Sequence, residues 1–468
     1  MKPLEGMSAY CVRGHYETKQ RDDRFGRLFN HLPPAYTQSH ILEAIGAKNG
    51  PMDGKSKNDR TDTVPVGMVF FGQFVDHDIT LDASTTFDSV VDNPGEIANV
   101  RTPTLDLDCI YGLGPEAQPY LFSQDGAFAG AKLLTGADNP GQNGLREHDL
   151  LRAPNDRAII GDPRNDENRV ISQIQLAIIR FHNHVCDTLH AEDGLEGHGL
   201  YEEARRQTTW HYQWAVVNDF LTDMCGQPVV EQILGCGRQV YCSNVPFIPV
   251  EFSVAAYRFG HSMIPMKVQV QKGKAALELF GAILGNGFDA LTDPKGVVDW
   301  HELLFTPENR QVERAQKLDL KLAGDLLQLP FITSGEASLA TRNLLRGNTF
   351  LLPGGEKVAE AIGCEPKQIE KVLKRIAKLT KDLEPPLPEH GIPLWLYLLA
   401  EAEVIGRAEP DGSTKEGEAL GPVGATIVAE TIIGLLELDE HSYLGANRNW
   451  TPRAEWNTLG KLVTVAQP

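Results

Sequence analysis

The sequence has 468 residues, is 41% hydrophobic and carries a formal net charge of -19 at pH 7. A chain of this length can bury a large core, either as one large enzyme domain or as up to about three smaller domains. Because the charge is strongly negative and no basic patch interrupts it, nucleic acid and anionic membrane are not expected as main partners.

The sequence predicts neither a membrane span nor a secretory signal. Its longest apolar run, residues 421–436, is short and contains Glu430. The first residues lack the apolar stretch of a signal peptide, so we expect a soluble protein that is cytoplasmic or exported without such a signal. The seven cysteines are scattered without a C-x-x-C spacing. They predict mostly free thiols, although Cys236 and Cys242 could pair.

Helical periodicity dominates the chain. Apolar spacing predicts helices over 65–80, 171–189, 201–224, 251–264, 336–346, 356–380, 393–405 and 424–437. Segments rich in Gly, Pro and Asp predict loops at 47–63, 112–160 and 407–423. The expected fold is mainly α, a single large helical domain over 61–450 with long loops and very little β. Residues 1–60 are expected to form an N-terminal arm, and 451–468 a C-terminal tail.

The first predicted helix changes character within the stretch GQFVDHD. Its apolar face continues, at three- and four-residue spacing, with Gln73, Asp76 and His77. Buried carboxylate and imidazole groups need a cofactor, an ion or a dense hydrogen-bond network to satisfy them. A helix that ends near residue 75, with a solvated cap after it, would explain the same residues.

Two later segments combine charged or titratable residues with helical patterns. In DPRNDE, before the longest helix, Arg164 and Glu167 are three apart and share a face. A first-turn acidic cap with an ion pair would explain them without a function. In YRFGH, His261 lies within an apolar run three residues after Arg258. A lone histidine in such a run is usually a satisfied core residue.

The segment TPTLDLDC places oxygen-bearing side chains at alternate positions, which are Thr102, Thr104, Asp106 and Asp108. In an extended chain these oxygens line one side. They would suit a hard cation such as calcium if another carboxylate joined them.

In this order, the segments resemble the animal-type haem peroxidases, the family of myeloperoxidase and lactoperoxidase, which also includes cyclooxygenases and bacterial members. The resemblance spans about residues 65–440. It rests on the ordered motifs GQFVDHD, TPTLDLDCIYG, DPRNDE with IIRFHNH, YRFGH and SLATRNLLR. It implies a helical haem-peroxidase domain.

The resemblance also implies residue roles. The distal catalytic residues would be His77, Arg164 and Gln73. His261 would be the proximal ligand of the haem iron, with Asn343 bonded to its imidazole and Arg258 near a haem propionate. The carboxylates that link the haem covalently would be Asp76 and Glu167. The calcium ligands would be Asp78, Thr102, Thr104, Asp106 and Asp108.

The function implied is oxidation of small electron donors, iodide, bromide or thiocyanate by hydrogen peroxide, with covalently linked haem b and calcium. One alternative is a fatty-acid dioxygenase of the same superfamily, which needs a radical-forming tyrosine where this chain has Arg258; Tyr257 is one residue too early. Another is a non-catalytic calcium-binding adhesion or scaffold protein. The residue after Glu167 is Asn168 rather than the methionine of myeloperoxidase. Oligomeric state is not indicated.

Overall fold

The computed structural model describes residues 25–81, 91, 93–97, 99–139, 145–308, 311–387, 391–465 and 467. The first part of the predicted arm, residues 1–24, lies outside the described residues. The α-helices in chain order are α1 Ser39–Gly46, α2 Val66–Ile79, α3 Asp108–Tyr111, α4 Arg169–Asp193, α5 Gly197–Ala215, α6 Leu221–Cys225, α7 Gln227–Cys236, α8 Gly260–Met263, α9 Trp300–Leu303, α10 Leu339–Thr349, α11 Gly355–Ile362, α12 Pro366–Thr380, α13 Leu394–Val404, α14 Pro422–Leu438, α15 Tyr443–Ala446 and α16 Leu459–Thr464.

The strands are short and pair only two by two within the described chain. They are β1 Phe25–Gly26, β2 Arg60–Pro65, β3 Ile248–Pro249, β4 Lys267–Val268, β5 Leu277–Glu278, β6 Arg314–Gln316, β7 Arg407–Ala408 and β8 Thr414–Lys415. β1 pairs with β3 in parallel, whereas the pairs β2–β6, β4–β5 and β7–β8 are antiparallel. The prediction of a mainly α fold with very little β is therefore confirmed.

The helix predictions hold for the long amphipathic segments and fail where the backbone changes its geometry. The helix predicted over 356–380 is two helices, because Gly363 takes a φ of +91° and Pro366 opens α12. The segment predicted at 251–264 is a π-turn over Glu251–Ala255, a 3-10 turn over Ala256–Phe259 and then α8. Helices α1 and α7 and the short helices α3, α9, α15 and α16 were not predicted.

Helix α4 is the central element that positions the site. It packs against α2 and α5. Its predicted apolar stripe is buried throughout, namely Ile171, Ile174, Ile178, Phe181, Val185 and Leu189. α13 and α14 add a second buried layer, where the carboxylate of Glu401 accepts hydrogen bonds from the amides of Val423 and Gly424. The packing of α2 against α4 places the end of α2 and the start of α4 side by side.

Two buried charges tie the described part of the predicted arm to the segment that carries His261. The carboxylate of Glu251 accepts hydrogen bonds from the backbone amides of Leu28 and Phe29, at 3.1 and 3.2 Å. The ammonium of Lys57 pairs with Asp319 at 2.7 Å and donates to the carbonyl oxygen of Ser262 at 3.0 Å. Residues near 28 and 57 therefore hold the backbone on both sides of His261.

No described helix is long and apolar enough to cross a membrane. Cys236 and Cys242 are exposed and both are free, so the possible pairing of these two thiols is not formed.

Candidate active site

A cavity of about 720 Å³ brings the two predicted site histidines together. α2 contributes Gln73, Asp76 and His77 to its lining, and the irregular segment before α8 contributes Arg258, with His261 in α8 itself. The remaining wall is mainly apolar, with Phe220, Tyr257, Phe259, Leu279, Phe280 and Phe331 among its residues. Its size lies in the range typical of cofactor and ligand pockets.

The side chain of His77 is buried and has one hydrogen-bond partner among the residues that the structure describes. Its Nδ1 lies 2.7 Å from Oδ1 of Asn165, so Nε2 is the ring nitrogen left for the cavity. Burial lowers the pKa of His77, and the nearby charge of Arg164 lowers it further. The imidazole is therefore held in its neutral form. Asn165 was not among the predicted site residues, because nothing in the sequence indicates that its side chain meets His77.

Arg164 lies beside His77 but is not among the residues that line the cavity. Its Nη2 donates to Asp162 at 2.7 Å and to the carbonyl oxygen of His77 at 3.0 Å. Asp162 is fully buried and also accepts from the amide of Arg164, because it caps the 3-10 turn Pro163–Asp166. Nη1 is left without a hydrogen-bond partner among the described residues.

Both carboxylates that were predicted to link the haem line this cavity. Glu167 accepts a short hydrogen bond from Nε2 of Gln73. Although its side chain keeps surface accessible within the cavity, burial raises the pKa of Glu167. Asp76 accepts a hydrogen bond from Oγ1 of Thr80 at 2.9 Å. The two carboxylates therefore come from different elements and converge on one space.

A buried ion network fixes the turn that bears Arg164 and Glu167. Arg152 donates to both carboxylate oxygens of Asp166 at 2.8 Å and pairs with Asp149 at 2.8 Å. All of these groups are almost inaccessible to solvent. Removing one partner of such a network leaves an uncompensated buried charge, which typically costs about 3–5 kcal/mol. Arg152 lies within the stretch that was predicted only as a loop.

In α8, burial lowers the pKa of His261 to about 3, so its imidazole is neutral. Nδ1 of His261 lies 2.8 Å from Nδ2 of Asn343, while Oδ1 of Asn343 is buried without a hydrogen-bond partner in the described part of the chain. Rotating this amide by 180° lets Oδ1 accept a hydrogen bond from Nδ1–H of His261. The lone pair of Nε2 is then free to bind a metal. A Cβ atom at Gly260 would meet only Val69, at 3.7 Å, so the protein itself does not require glycine there.

These features fit a haem: two neutral histidines line one cavity, the amide of Asn343 has an orphaned acceptor, and Gly260 leaves room on the cavity side. Arg258 also lines the cavity and donates through Nε to the carbonyl oxygen of Ser253 at 3.0 Å. Asn168, the residue after Glu167, caps α4 by accepting from the amide of Ile171 at 3.0 Å.

Behind α2, three carboxylates converge from two segments. Asp78, Asp106 and Asp108 place ligand oxygens within 4.8 Å of one another. Burial and the neighbouring carboxylates raise the pKa of Asp78 well above its usual value, and burial beside Asp106 raises that of Asp108 to about 7. Such mutual repulsion favours a bound cation.

The two threonines are less closely involved. Oγ1 of Thr102 donates to Asp106 at 3.2 Å. Thr104 lies in the same loop without a side-chain hydrogen bond to the three carboxylates. The alternate spacing would line these oxygens along one side only in an extended chain. The loop is not extended, because Leu107 takes a left-handed φ of +58° and α3 begins at Asp108. The carboxylates meet through this turn rather than along one side of a strand.

Comparisons with known proteins identify the family of this chain. The family model of the animal haem peroxidase matches residues 82–377, which include Arg164, Glu167, His261 and Asn343 and begin after His77. Thyroid peroxidase of Rattus norvegicus is 22% identical over 375 residues, covering 74% of this chain and 39% of its own length. Chorion peroxidase of Drosophila melanogaster is 23% identical over 376 residues, covering 73% and 42%. The chain thus spans roughly two fifths of the length of these relatives.

Solved structures share the fold. Peroxidase A from Dictyostelium discoideum superposes with a TM-score of 0.65 at 17% identity, covering 95% of this chain and 93% of that one. A fatty acid alpha-dioxygenase from Arabidopsis thaliana gives 0.58 at 18% identity, covering 93% and 74%. Because the family match extends over more than half of the sequence, the chain belongs to the animal haem peroxidase family.

Proposed function

We propose that the protein is a peroxidase that binds haem b between His77 and His261 and uses hydrogen peroxide to oxidise small electron donors. The observation that carries this proposal is the single cavity lined by both neutral histidines, which come from different helices. When bound, haem supplies an iron centre that hydrogen peroxide can oxidise and that donors can reduce again. The partners are therefore hydrogen peroxide and small-molecule or halide donors.

The side chains of this protein would then divide the work. His261 would hold the iron through Nε2, while Oδ1 of Asn343 accepts a hydrogen bond from Nδ1–H. His77 would take a proton from hydrogen peroxide at Nε2 and return it to the departing oxygen. Arg164, through Nη1, would stabilise the negative charge that develops on that oxygen. Gln73 would hold water or a halide beside them.

A second candidate is a fatty-acid dioxygenase. Tyr257 lines the cavity, and its phenol oxygen is buried with no hydrogen-bond partner from any described residue. The residue three before His261 is nevertheless Arg258, so the phenol lies one residue away from the position that the dioxygenases use. We therefore rank peroxidase first, and a dioxygenase would reveal itself by consuming oxygen with a polyunsaturated fatty acid.

The first prediction concerns His261. Replacing it by alanine should remove the haem or abolish turnover, because the iron loses its only proximal ligand. Haem content, the Soret band and peroxide-dependent oxidation of an aromatic reductant measure this, with His184→Ala in α4 as the control. Unchanged Soret absorbance and turnover in His261→Ala would rule the assignment out. A scaffold protein would give no turnover even as wild type.

We also propose that Asp76 and Glu167 become esterified to haem methyl groups. Each ester replaces a methyl C–H bond by C–O, a two-electron oxidation balanced by reduction of hydrogen peroxide to water. After peroxide turnover, acidified organic solvent should no longer extract the haem. Asp76→Asn and Glu167→Gln should each leave one link, and the double variant none. Full extraction from peroxide-treated wild type, with no haem-modified peptide by mass spectrometry, would contradict the proposal.

Calcium is proposed for the cluster of Asp78, Asp106 and Asp108. Elemental analysis should find about one calcium ion per chain, since the carboxylates repel one another without a cation. Chelation should impair peroxide turnover, because Asp78 adjoins His77 in α2. Re-addition of calcium, but not of magnesium, should restore it. Freshly prepared active protein without calcium would disprove this site.

The last functional prediction concerns halides. Asn168 cannot form the electron-withdrawing sulfonium bond that a methionine makes in myeloperoxidase, so iodide, thiocyanate and bromide should be oxidised while chloride is a poor donor. Halogenation of a common acceptor at equal peroxide concentrations tests this. Asn168→Met supplies a sulfur. Asn168→Leu is its control, because it loses the same helix cap, worth about 1 kcal/mol, and supplies no sulfur. Wild-type chloride turnover equal to that of bromide near neutral pH would refute the argument.

A further inference from the structure

Behind His77, a chain of buried amides connects the imidazole to the backbone. Nδ1 of His77 lies 2.7 Å from Oδ1 of Asn165. Nδ2 of Asn165 donates to Oε1 of Gln175 at 2.8 Å, and Nε2 of Gln175 donates to the carbonyl oxygen of Cys109 at 3.1 Å. Both amide side chains have no accessible surface. Water therefore cannot replace any of these hydrogen bonds.

The carbonyl oxygen of Cys109 fixes the direction of all of these hydrogen bonds. A backbone carbonyl oxygen can only accept, so Gln175 must turn its NH₂ toward Cys109 and its oxygen toward Asn165. Asn165 must then donate to Gln175 and present Oδ1 to the ring. His77 can complete this contact only by donating from Nδ1. The opposite arrangement would set two acceptors against each other in a buried site.

We propose that Asn165 and Gln175 are positioning residues that hold His77 with its proton on Nδ1 and its lone pair on Nε2, toward the cavity. This rests on the proposed peroxidase function, in which Nε2 must accept a proton from hydrogen peroxide. The tautomer of His77 is then set by the carbonyl oxygen of Cys109, one residue after Asp108. Neither Asn165 nor Gln175 is among the residues that line the cavity, so these hydrogen bonds reach the cavity through His77.

Substitutions at Gln175 separate the effect of the hydrogen bonds from the effect of side-chain packing. Gln175→Leu removes both hydrogen bonds and frees the Asn165 amide to turn. Gln175→Glu keeps the shape, and burial holds the new carboxyl group protonated. Its carbonyl then accepts from Asn165 and its O–H donates to Cys109. Gln173→Leu is the matched control, because Gln173 is buried in the same helix but bonds to His148 and Val298 instead.

The test reads the tautomer of His77 directly. Long-range ¹H–¹⁵N NMR spectra of histidine-labelled protein, in the diamagnetic ferrous carbon monoxide form, distinguish Nδ1–H from Nε2–H, and His77→Gln identifies the signal. We expect Nδ1–H in wild type, Gln175→Glu and Gln173→Leu, and its loss in Gln175→Leu. The rate of reaction with hydrogen peroxide should fall about tenfold or more in Gln175→Leu only.

An unchanged tautomer in Gln175→Leu, or a Gln175→Glu variant that behaves like Gln175→Leu, would overturn the proposal. Should Gln175→Leu fail to fold, Asn165→Ala removes the same contact without altering α4 and should shift the tautomer in the same way. Failure of the proposed function looks different: wild type would bind no haem or ignore peroxide. The tautomer would then be read from the spectrum of the haem-free protein, and the positioning role of Asn165 and Gln175 would be judged on that spectrum alone.

Discussion

The burial of consecutive ionisable residues at the end of α2 is the constraint on which the rest of the site depends. Asp76, His77 and Asp78 point in different directions from one turn of helix, so each needs a different partner. Asp76 faces the cavity, His77 is bonded to Asn165, and Asp78 accepts from Leu107, Cys109 and Tyr212. An apolar helix end would need none of these surroundings.

The short turn before α4 supplies several of the partners that the ionisable side chains at the end of α2 require. Asp162 accepts a hydrogen bond from Arg164 and forms a salt bridge with Arg101 at 2.9 Å, and Arg101 also lies 3.2 Å from Asp108. A line of alternating charges therefore joins the acidic cluster to the arginine beside His77. Because all its members are largely buried, these pairs are poorly screened and couple more strongly than surface pairs do. The proposed cation site and the distal residues thus share one electrostatic framework.

The side of the cavity around His261 is organised differently. His261 meets the uncharged amide of Asn343 rather than a carboxylate. The buried ammonium of Lys57 is bonded to the carbonyl oxygen of Ser262, the next residue, and is balanced by Asp319. An uncharged partner leaves an imidazole less electron-donating than a carboxylate would. The irregular π and 3-10 turns before α8 set the direction from which this histidine approaches.

The sequence by itself determined the helical fold and the types of the cavity residues, because apolar periodicity and short polar motifs are local properties. It did not reveal Asn165, Gln175 or Arg152 as partners, since amide and guanidinium contacts depend on which distant segments meet. It also did not reveal the left-handed turn at Leu107 in the acidic loop. Only the tertiary structure decided the tautomer of His77, because hydrogen-bond direction is set by a carbonyl oxygen, that of Cys109, which no side-chain pattern encodes.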